Sequence, residues 1–338
     1  MYRVAVVNSR SFGVHAPDLV ERLKKYAEVE WISVDKKSHG KELAEKLKGF
    51  NFIIASVTPN YDREFFENNN DIILIARHGI GVDNVDIKAA TENGVLVTRV
   101  PGEKERDSVA ELAVSLALAA IRKVCFSANL VKKSLWKERG KILGFTIRGK
   151  TVGVIGLGNI GSRVSEIFSK GFNATVLAFD PYVSEEKAAE HGAKLVDLKT
   201  LLRESHIITL HTPLTNETYH MIGKKELELM RDGVVIVNTA RGGLIDTNAL
   251  IEYLEKGKIG AVALDVIEDE PIDGKHPILK YENVIVTPHI GANTSEGLRG
   301  MDEANVEAII SVIEKRIPPG LVNTEVIKRD NRAGIKQS

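Results

Sequence analysis

The chain has 338 residues, 43% of them hydrophobic, which is enough to bury a sizeable core and, by length, enough for two domains. Lysine plus arginine balances aspartate plus glutamate at 46 each, so no global field draws the chain to nucleic acid or to an anionic membrane. Met1 leads straight into strand-forming residues with no signal-peptide pattern, and the longest apolar helix, over 112–121, is too short to span a bilayer. A cytoplasmic protein is therefore expected, with no nucleic-acid and no membrane partner.

The first hundred residues alternate strand and helix. Strands are predicted over 3–7, 28–34, 52–57, 72–76 and 95–100, with amphipathic stretches such as 18–27 and 41–48 between them. Such alternation implies a parallel sheet covered by helices. An alanine- and leucine-rich helix is predicted next, over 108–124. Cys125 is the only cysteine and cannot form an internal disulfide; its helical, apolar surroundings predict a packed core thiol rather than a nucleophile. The segment 126–145, with Trp136 amid lysines, fits neither sheet and reads as an arm reaching a second subunit.

Gly144-Phe145-Thr146-Ile147-Arg148-Gly149-Lys150-Thr151 matches the P-loop pattern letter for letter, but a P-loop needs a strand before it and a helix after its lysine. Here Lys150-Thr151 opens a strand, which rejects that reading. The strand runs through Val152-Gly153-Val154-Ile155 into Gly156-Leu157-Gly158-Asn159-Ile160-Gly161. In a dinucleotide site Gly156 allows the tight turn, Gly158 lets the backbone approach a pyrophosphate, and Gly161 lets the next helix pack close to the sheet. That helix, from about Asn159 and read over 162–171, points free N–H groups at the phosphates. Thr175–Phe179 reads as the next strand, and Asp180 follows it ~20 residues beyond the glycines, where a carboxylate accepts hydrogen bonds from the adenosine ribose. Its charge repels a 2′-phosphate and Pro181-Tyr182-Val183 supply no arginine, so NAD is expected over NADP.

Further strands are predicted over 206–211, 234–239, 261–266 and 283–287, and a long helix over 294–316, ended by Ile317-Pro318-Pro319-Gly320. The economical arrangement folds the tail back onto the first sheet, so that two chain crossings make a hinge. The expected fold class is α/β with two doubly wound parallel-sheet domains: a Rossmann nucleotide domain (104–291) inserted into a flavodoxin-like substrate domain (1–103 plus 292–338).

Three ionisable residues lie just past predicted strand ends, where parallel sheets bind ligands. Arg241 follows Val237-Asn238-Thr239-Ala240 and precedes Gly242-Gly243; Glu270 lies in Asp265-Val266-Ile267-Glu268-Asp269-Glu270-Pro271; His289 follows Val284-Ile285-Val286-Thr287-Pro288. Singly they read as a surface salt bridge, a solvated turn and a structural histidine. Beside a nicotinamide they make chemical sense together. Hydride addition to a ketone develops negative charge on oxygen, so a proton donor is needed, and histidine suits because its ordinary pKa lies near ~6.5. A neighbouring carboxylate favours imidazolium. A guanidinium polarises the carbonyl and can hold an adjacent carboxylate bidentately. The other histidines show no metal-ligand spacing, so no metal is expected.

These stretches, with His211-Thr212-Pro213-Leu214-Thr215-Asn216-Glu217-Thr218, Ala263-Leu264-Asp265-Val266 and Thr287-Pro288-His289-Ile290-Gly291, resemble the D-2-hydroxyacid dehydrogenase family over nearly the whole chain. The resemblance implies that Arg241 binds and orients substrate, Glu270 supports the histidine, and His289 is the acid–base. It implies NAD contacts from Gly156, Gly158, Asn159, Ile160, Gly161, Asp180, Thr212, Pro213, Thr218, Thr239, Ala240, Arg241, Asp265, His289 and Gly291. It assigns substrate binding to the loop His78-Gly79-Ile80-Gly81, with the Ile80 and Gly81 backbone on the substrate carboxylate, alongside Arg241 and His289. The first domain becomes a substrate-side lid, and a homodimer through the nucleotide domains is implied.

Similar formate dehydrogenases carry glutamine where this chain has Glu270, and phosphite dehydrogenases a lysine where it has Ile80. Phosphoglycerate dehydrogenases usually show an arginine near Ser56-Val57-Thr58-Pro59, and most have Asn-x-Pro-Gly where this chain has Arg99-Val100-Pro101-Gly102. The expected function is NAD-dependent interconversion of a small 2-keto acid, such as glyoxylate, hydroxypyruvate or a sugar-derived keto acid, with its D-2-hydroxy acid. A phosphoglycerate dehydrogenase is the nearest alternative. From another class, an NAD(H)-binding corepressor would want a peptide cleft and long disordered tails, for which the chain has little beyond 328–338.

Overall fold

The apolar runs of the first hundred residues form an all-parallel sheet. Its strands are β1 (Tyr2–Val7), β2 (Ala27–Ile32), β3 (Phe52–Ala55), β4 (Leu74–Arg77) and β5 (Leu96–Thr98), in the order β2-β1-β3-β4-β5. Side chains alternate between two buried faces, as a sheet covered on both sides requires. Val4, Val6, Phe52, Ile54, Leu74 and Ala76 pack with Val306, Ile309 and Ile310 of the helix Ser295–Ile313. Ala5, Val7, Ile53 and Ile75 pack on the other side with Leu43, Phe65, Phe66 and Ala89. β5 is shorter than its predicted 95–100 because the next N–H groups turn elsewhere, Arg99 to the Gly320 carbonyl (3.0 Å) and Val100 to that of Gly79 (3.0 Å).

This computed structural model describes residues 1–336; Gln337 and Ser338, the end of the expected 292–338 range and of the tail 328–338, lie outside the described residues. The chain forms two units, one of residues 1–105 with 292–338 and one of residues 106–291. In the first unit the returning chain rejoins β5. The Val322 N–H donates to the Val97 carbonyl (2.8 Å), and Asn323 accepts from the Val97 N–H through Oδ1 (2.9 Å). Ala333 and Ile335 are buried in the same core, so the described part of the tail is packed.

The second unit is a seven-stranded parallel sheet of β6 (Thr151–Ile155), β7 (Thr175–Phe179), β8 (Ala193–Leu195), β9 (Ile207–Leu210), β10 (Val234–Asn238), β11 (Ile259–Leu264) and β12 (Val284–Val286), in the order β12-β11-β10-β9-β6-β7-β8. The order reverses between β6 and β9, the crevice where doubly wound sheets bind ligands. Three-residue β8 shows no alternation by which a sequence reading could find it. The helix read over 162–171 begins earlier and splits, α-helical over Asn159–Glu166 and then a π-turn over Ile167–Gly171.

The largest departure follows the helix Arg106–Ile121. Lys123 adopts a left-handed conformation (φ 52°) and breaks the predicted 108–124 helix, and a second helix, Val124–Lys132, follows it. That helix and the 3₁₀ turn Trp136–Lys141 bury no residue, and Trp136 is 63% exposed. Cys125 is therefore exposed, not the core thiol expected: the helix that carries it and its apolar neighbours buries no residue. No helix among the described residues is long and apolar enough to cross a membrane.

Candidate active site

Parallel register sets the site in the second unit. Ile155 pairs with Phe179 and Leu210, Leu210 with Asn238, Asn238 with Leu264, and Leu264 with Val286. Six strands thus end on one row. The residues just beyond that row are Gly156, Asp180, His211, Thr239, Asp265 and Thr287, the starts of the segments singled out in the sequence.

The glycine turn has the shape a dinucleotide needs. Gly156 has φ 88°, and a Cβ there would lie 2.8 Å from the His211 carbonyl and the Thr212 nitrogen. A Cβ on Gly161 would collide with the Gly156 carbonyl, so the helix can approach only as glycine. A Cβ on Gly158, by contrast, would meet nothing within 4 Å, leaving open space where a phosphate would lie. Gly158 caps the helix without a side chain, so no side chain occupies the first-turn N–H groups of Asn159, Ile160 and Gly161. Asp180 steadies the turn by accepting from the Leu157 N–H (2.8 Å) through one oxygen and from the Tyr182 N–H (2.9 Å) through the other. These residues fit a bound NAD.

Opposite the turn, Thr212 and Pro213 begin a loop pinned by Thr218, whose hydroxyl donates to the Pro213 carbonyl (2.7 Å) and accepts from the Thr215 N–H (2.7 Å). His211 is a residue the sequence reading passed over. Its Nε2 lies 2.8 Å from the Thr209 hydroxyl and its Nδ1 is buried without a protein partner; burial pushes its pKa down to about 3, so it is neutral.

The three ionisable residues stand on the β10, β11 and β12 loops. Buried Asn238, also unforeseen, shapes the first: its amide donates to the Arg241 carbonyl (2.8 Å) and accepts from the Ala240 N–H (2.9 Å). An asparagine closing a hydrophobic strand is the turn signal that could have found it. Thr239 is buried within that turn. Gly242 lies against the Ile267 carbonyl, where a Cβ would collide, and this brings the Arg241 turn and the Glu270 loop together. Glu268, on the same loop, is tied to His220 Nε2 (2.6 Å) and the Thr247 N–H (2.8 Å).

Asp265 is buried and builds the histidine loop. One carboxylate oxygen accepts from the Thr287 hydroxyl (2.6 Å) and the Ile290 N–H (2.9 Å), the other from the Gly291 N–H (2.8 Å). The Asp265 carbonyl accepts from the His289 N–H (2.9 Å), and these bonds hold His289 left-handed at φ 54°, uncommon for a residue with a side chain. Its Nδ1 then lies 2.5 Å from Glu270 Oε1, with both side chains a little over a third exposed (38% and 36%). Partial burial pushes the Glu270 pKa up. The His289 hydrogen bond and charge, the Ile267 N–H (3.2 Å) and the Arg241 guanidinium outweigh it, and the carboxyl ends below its usual value. The structure thus brings Arg241, Glu270 and His289 onto one edge, with the Nε2 face of His289 not engaged by Glu270.

In the first unit, the loop after β4 shows Ile80 and Gly81 partly exposed, whereas the His78 ring is buried. Gly79 has φ 145° and its carbonyl accepts from the Val100 N–H (3.0 Å). No group of three His, Cys, Asp or Glu side chains able to hold a metal occurs among the described residues.

Comparison with known proteins agrees with this geometry. Residues 114–291 match the family described as D-isomer specific 2-hydroxyacid dehydrogenase, NAD binding domain. A glyoxylate reductase of Thermococcus litoralis is 38% identical over 91% of this chain and 94% of its own length. A D-3-phosphoglycerate dehydrogenase of Archaeoglobus fulgidus is 44% identical over 80% of this chain but 51% of its own. The crystal structure of a glyoxylate reductase from Paecilomyes thermophila superposes with a TM-score of 0.84 at 31% identity, covering 96% of this chain and 99% of that one. The chain belongs to the D-2-hydroxyacid dehydrogenase family and is an NAD-dependent enzyme.

Proposed function

We propose that the enzyme reduces a small 2-keto acid such as glyoxylate or hydroxypyruvate to its D-2-hydroxy acid, with Arg241, Glu270 and His289 as the reacting groups and NADH preferred over NADPH. The observation that carries the reading is the 2.5 Å contact from His289 Nδ1 to Glu270 Oε1 on the strand-end row that also holds the glycine turn. NAD, when bound, supplies or accepts the hydride. His289 gives the proton from Nε2 to the developing alkoxide, while the Glu270 carboxylate holds Nδ1–H and favours the charged ring. Arg241 binds the substrate carboxylate and polarises the carbonyl. The N–H groups of Ile80 and Gly81 bind a substrate carboxylate. Asp180 repels a 2′-phosphate.

The small-substrate reading is supported by the glyoxylate reductases that align along nearly their whole length and by the absence of a cation in Ser56-Val57-Thr58-Pro59. We also propose a cytoplasmic homodimer through the NAD-binding unit, supported by the uncovered apolar side chains of Val124, Val131, Leu135 and Trp136 and by the exposed thiol of Cys125, which a reducing compartment keeps unpaired. A solution mass equal to one 37.1 kDa chain contradicts the dimer. A panel of glyoxylate, hydroxypyruvate, pyruvate and 3-phosphohydroxypyruvate with NADH, followed at the nicotinamide absorbance, tests the substrate. Turnover highest on glyoxylate or hydroxypyruvate is expected. A preference for the phosphorylated acid would reassign the enzyme to phosphoglycerate oxidation.

A further inference from the structure

His78 and Asp302 meet inside the first unit, far apart in sequence and almost wholly shielded, their side chains 4% and 0% exposed. His78 Nε2 lies 2.9 Å from Asp302 Oδ1, and Asp302 Oδ2 accepts from the Gly13 N–H (3.0 Å). On the other side of the ring, Nδ1 is 3.4 Å from the Ser9 hydroxyl, which also accepts from the Phe12 N–H (3.2 Å). The Phe12 ring packs edge-on to the imidazole, with centroids 5.7 Å apart. Ser9, His78 and Asp302 thus share the composition of a hydrolase relay, but the serine is buried and its hydroxyl serves the 9–12 turn. The group is a brace joining three segments: the loop after β1, the loop after β4, and the helix Ser295–Ile313.

The brace is continuous with the loop at 79–81. The His78 N–H extends the sheet by donating to the Ala55 carbonyl (2.9 Å). The Arg77 guanidinium donates to the His78 carbonyl, and a Cβ on Gly79 would lie 2.7 Å from Arg77 Nη1. One turn after Asp302 on its helix, Asn305 reaches the Arg77 carbonyl (3.4 Å). Residues 77–79 are therefore held from both sides, and the partly exposed residues Ile80 and Gly81 follow directly on that fixed base. A fully buried acid–imidazole pair is weak as a source of stability, since apolar side chains of similar volume often replace such pairs at little cost. What they cannot replace is the direction its hydrogen bonds impose.

We propose that His78 and Asp302 are positioning residues, a buried brace that fixes the 79–81 backbone in the conformation that receives the substrate carboxylate. The proposal rests on the reading that Ile80 and Gly81 bind that carboxylate. Neither side chain touches substrate, so the effect falls on KM and on recognition of the acid group rather than on the hydride or proton step.

The test compares glyoxylate with glyoxylamide, which lacks the charge, in wild-type enzyme, His78→Leu/Asp302→Leu, and the single variants His78→Gln and Asp302→Ala. In the double leucine variant, KM for glyoxylate rises about 10-fold with kcat within about 2-fold, the acid-over-amide preference shrinks by the same factor, and NADH affinity is unchanged. His78→Gln places an amide nitrogen near the Nε2 position and restores KM. If the leucine pair does not fold, Asp302→Ala carries the test: it removes the partner of both His78 Nε2 and the Gly13 N–H, and raises KM in the same direction. Wild-type enzyme indifferent to acid or amide refutes the carboxylate reading, and the brace with it. Wild-type enzyme that prefers the acid, beside folded variants with the same preference and KM, refutes the brace alone.

Discussion

His211 makes the NAD-binding unit sensitive to acid. Its folded pKa is depressed by burial to about 3, against an ordinary 6.5, so the folded state keeps the ring neutral while the unfolded chain takes up a proton below 6.5. The stabilisation is fully present above 6.5 and is lost as pH falls toward 3. At about 1.4 kcal/mol per pH unit, the drop from 6.5 to 5 removes up to about 2 kcal/mol. The residue as a whole is only partly buried, but the nitrogen that would gain the proton is shielded, and shielding of that atom governs the penalty. His211→Gln keeps a donor for the Thr209 hydroxyl and cannot titrate. Urea unfolding of the NAD-binding unit at pH 7.5 and pH 5, in wild type and variant, isolates this one group from the carboxylates common to both. The stability gap between them should move by about 1–2 kcal/mol in favour of the variant at pH 5. Because the folded ring stays neutral across this window, the group leaves NADH affinity unchanged between pH 7.5 and pH 5 while the stability gap moves. Parallel pH curves for the two proteins would refute the reasoning.

Other expectations follow from the strand-end row. Glu270 is held below the ordinary carboxylate value, so it stays anionic across the assay range and keeps its hydrogen bond to His289. Steady-state assays should therefore show ketone reduction falling and alcohol oxidation rising as pH increases, and Glu270→Gln should move the reduction limb to lower pH with a loss of rate; an unmoved profile contradicts the pairing. His289→Ala should lower kcat by about 10²–10⁴ while NADH binding, followed by fluorescence titration, stays intact. Arg241→Ala should raise KM and lower kcat together, and a change in KM alone would limit Arg241 to binding. Asp180→Ala with Pro181→Arg should narrow or reverse the NADH preference, and a wild type that uses NADPH equally well would show that Asp180 does not select the cofactor.

Where one segment carries its own instructions, the sequence was readable. The Gly156–Gly161 turn, the strand ends before Arg241 and His289, and the alternating apolar runs of β1, β3 and β4 depend on local pattern, and they stand where that pattern puts them. What escaped depends on partners distant in sequence. Cys125 sits among residues that suit a core helix, and only the break at Lys123 leaves that helix with no buried residue. Asp265 reads as an NAD contact by resemblance, but its bonds to the Ile290 and Gly291 N–H groups reach across loops. His211 matters through its burial beside the Thr209 hydroxyl, and only Asn238, which bonds within its own turn, was missed for a local reason. His78 was legible as part of a loop, but its burial against Asp302 joins positions 224 residues apart.

The most direct test is the reduction of hydroxypyruvate by NADH, with the glycerate formed resolved by chiral chromatography, in wild-type and His289→Ala enzyme. D-glycerate alone is expected from the wild type, and almost none from the variant in the same time. L-glycerate, unchanged NADH in the wild type, or equal yields from both proteins would contradict the account.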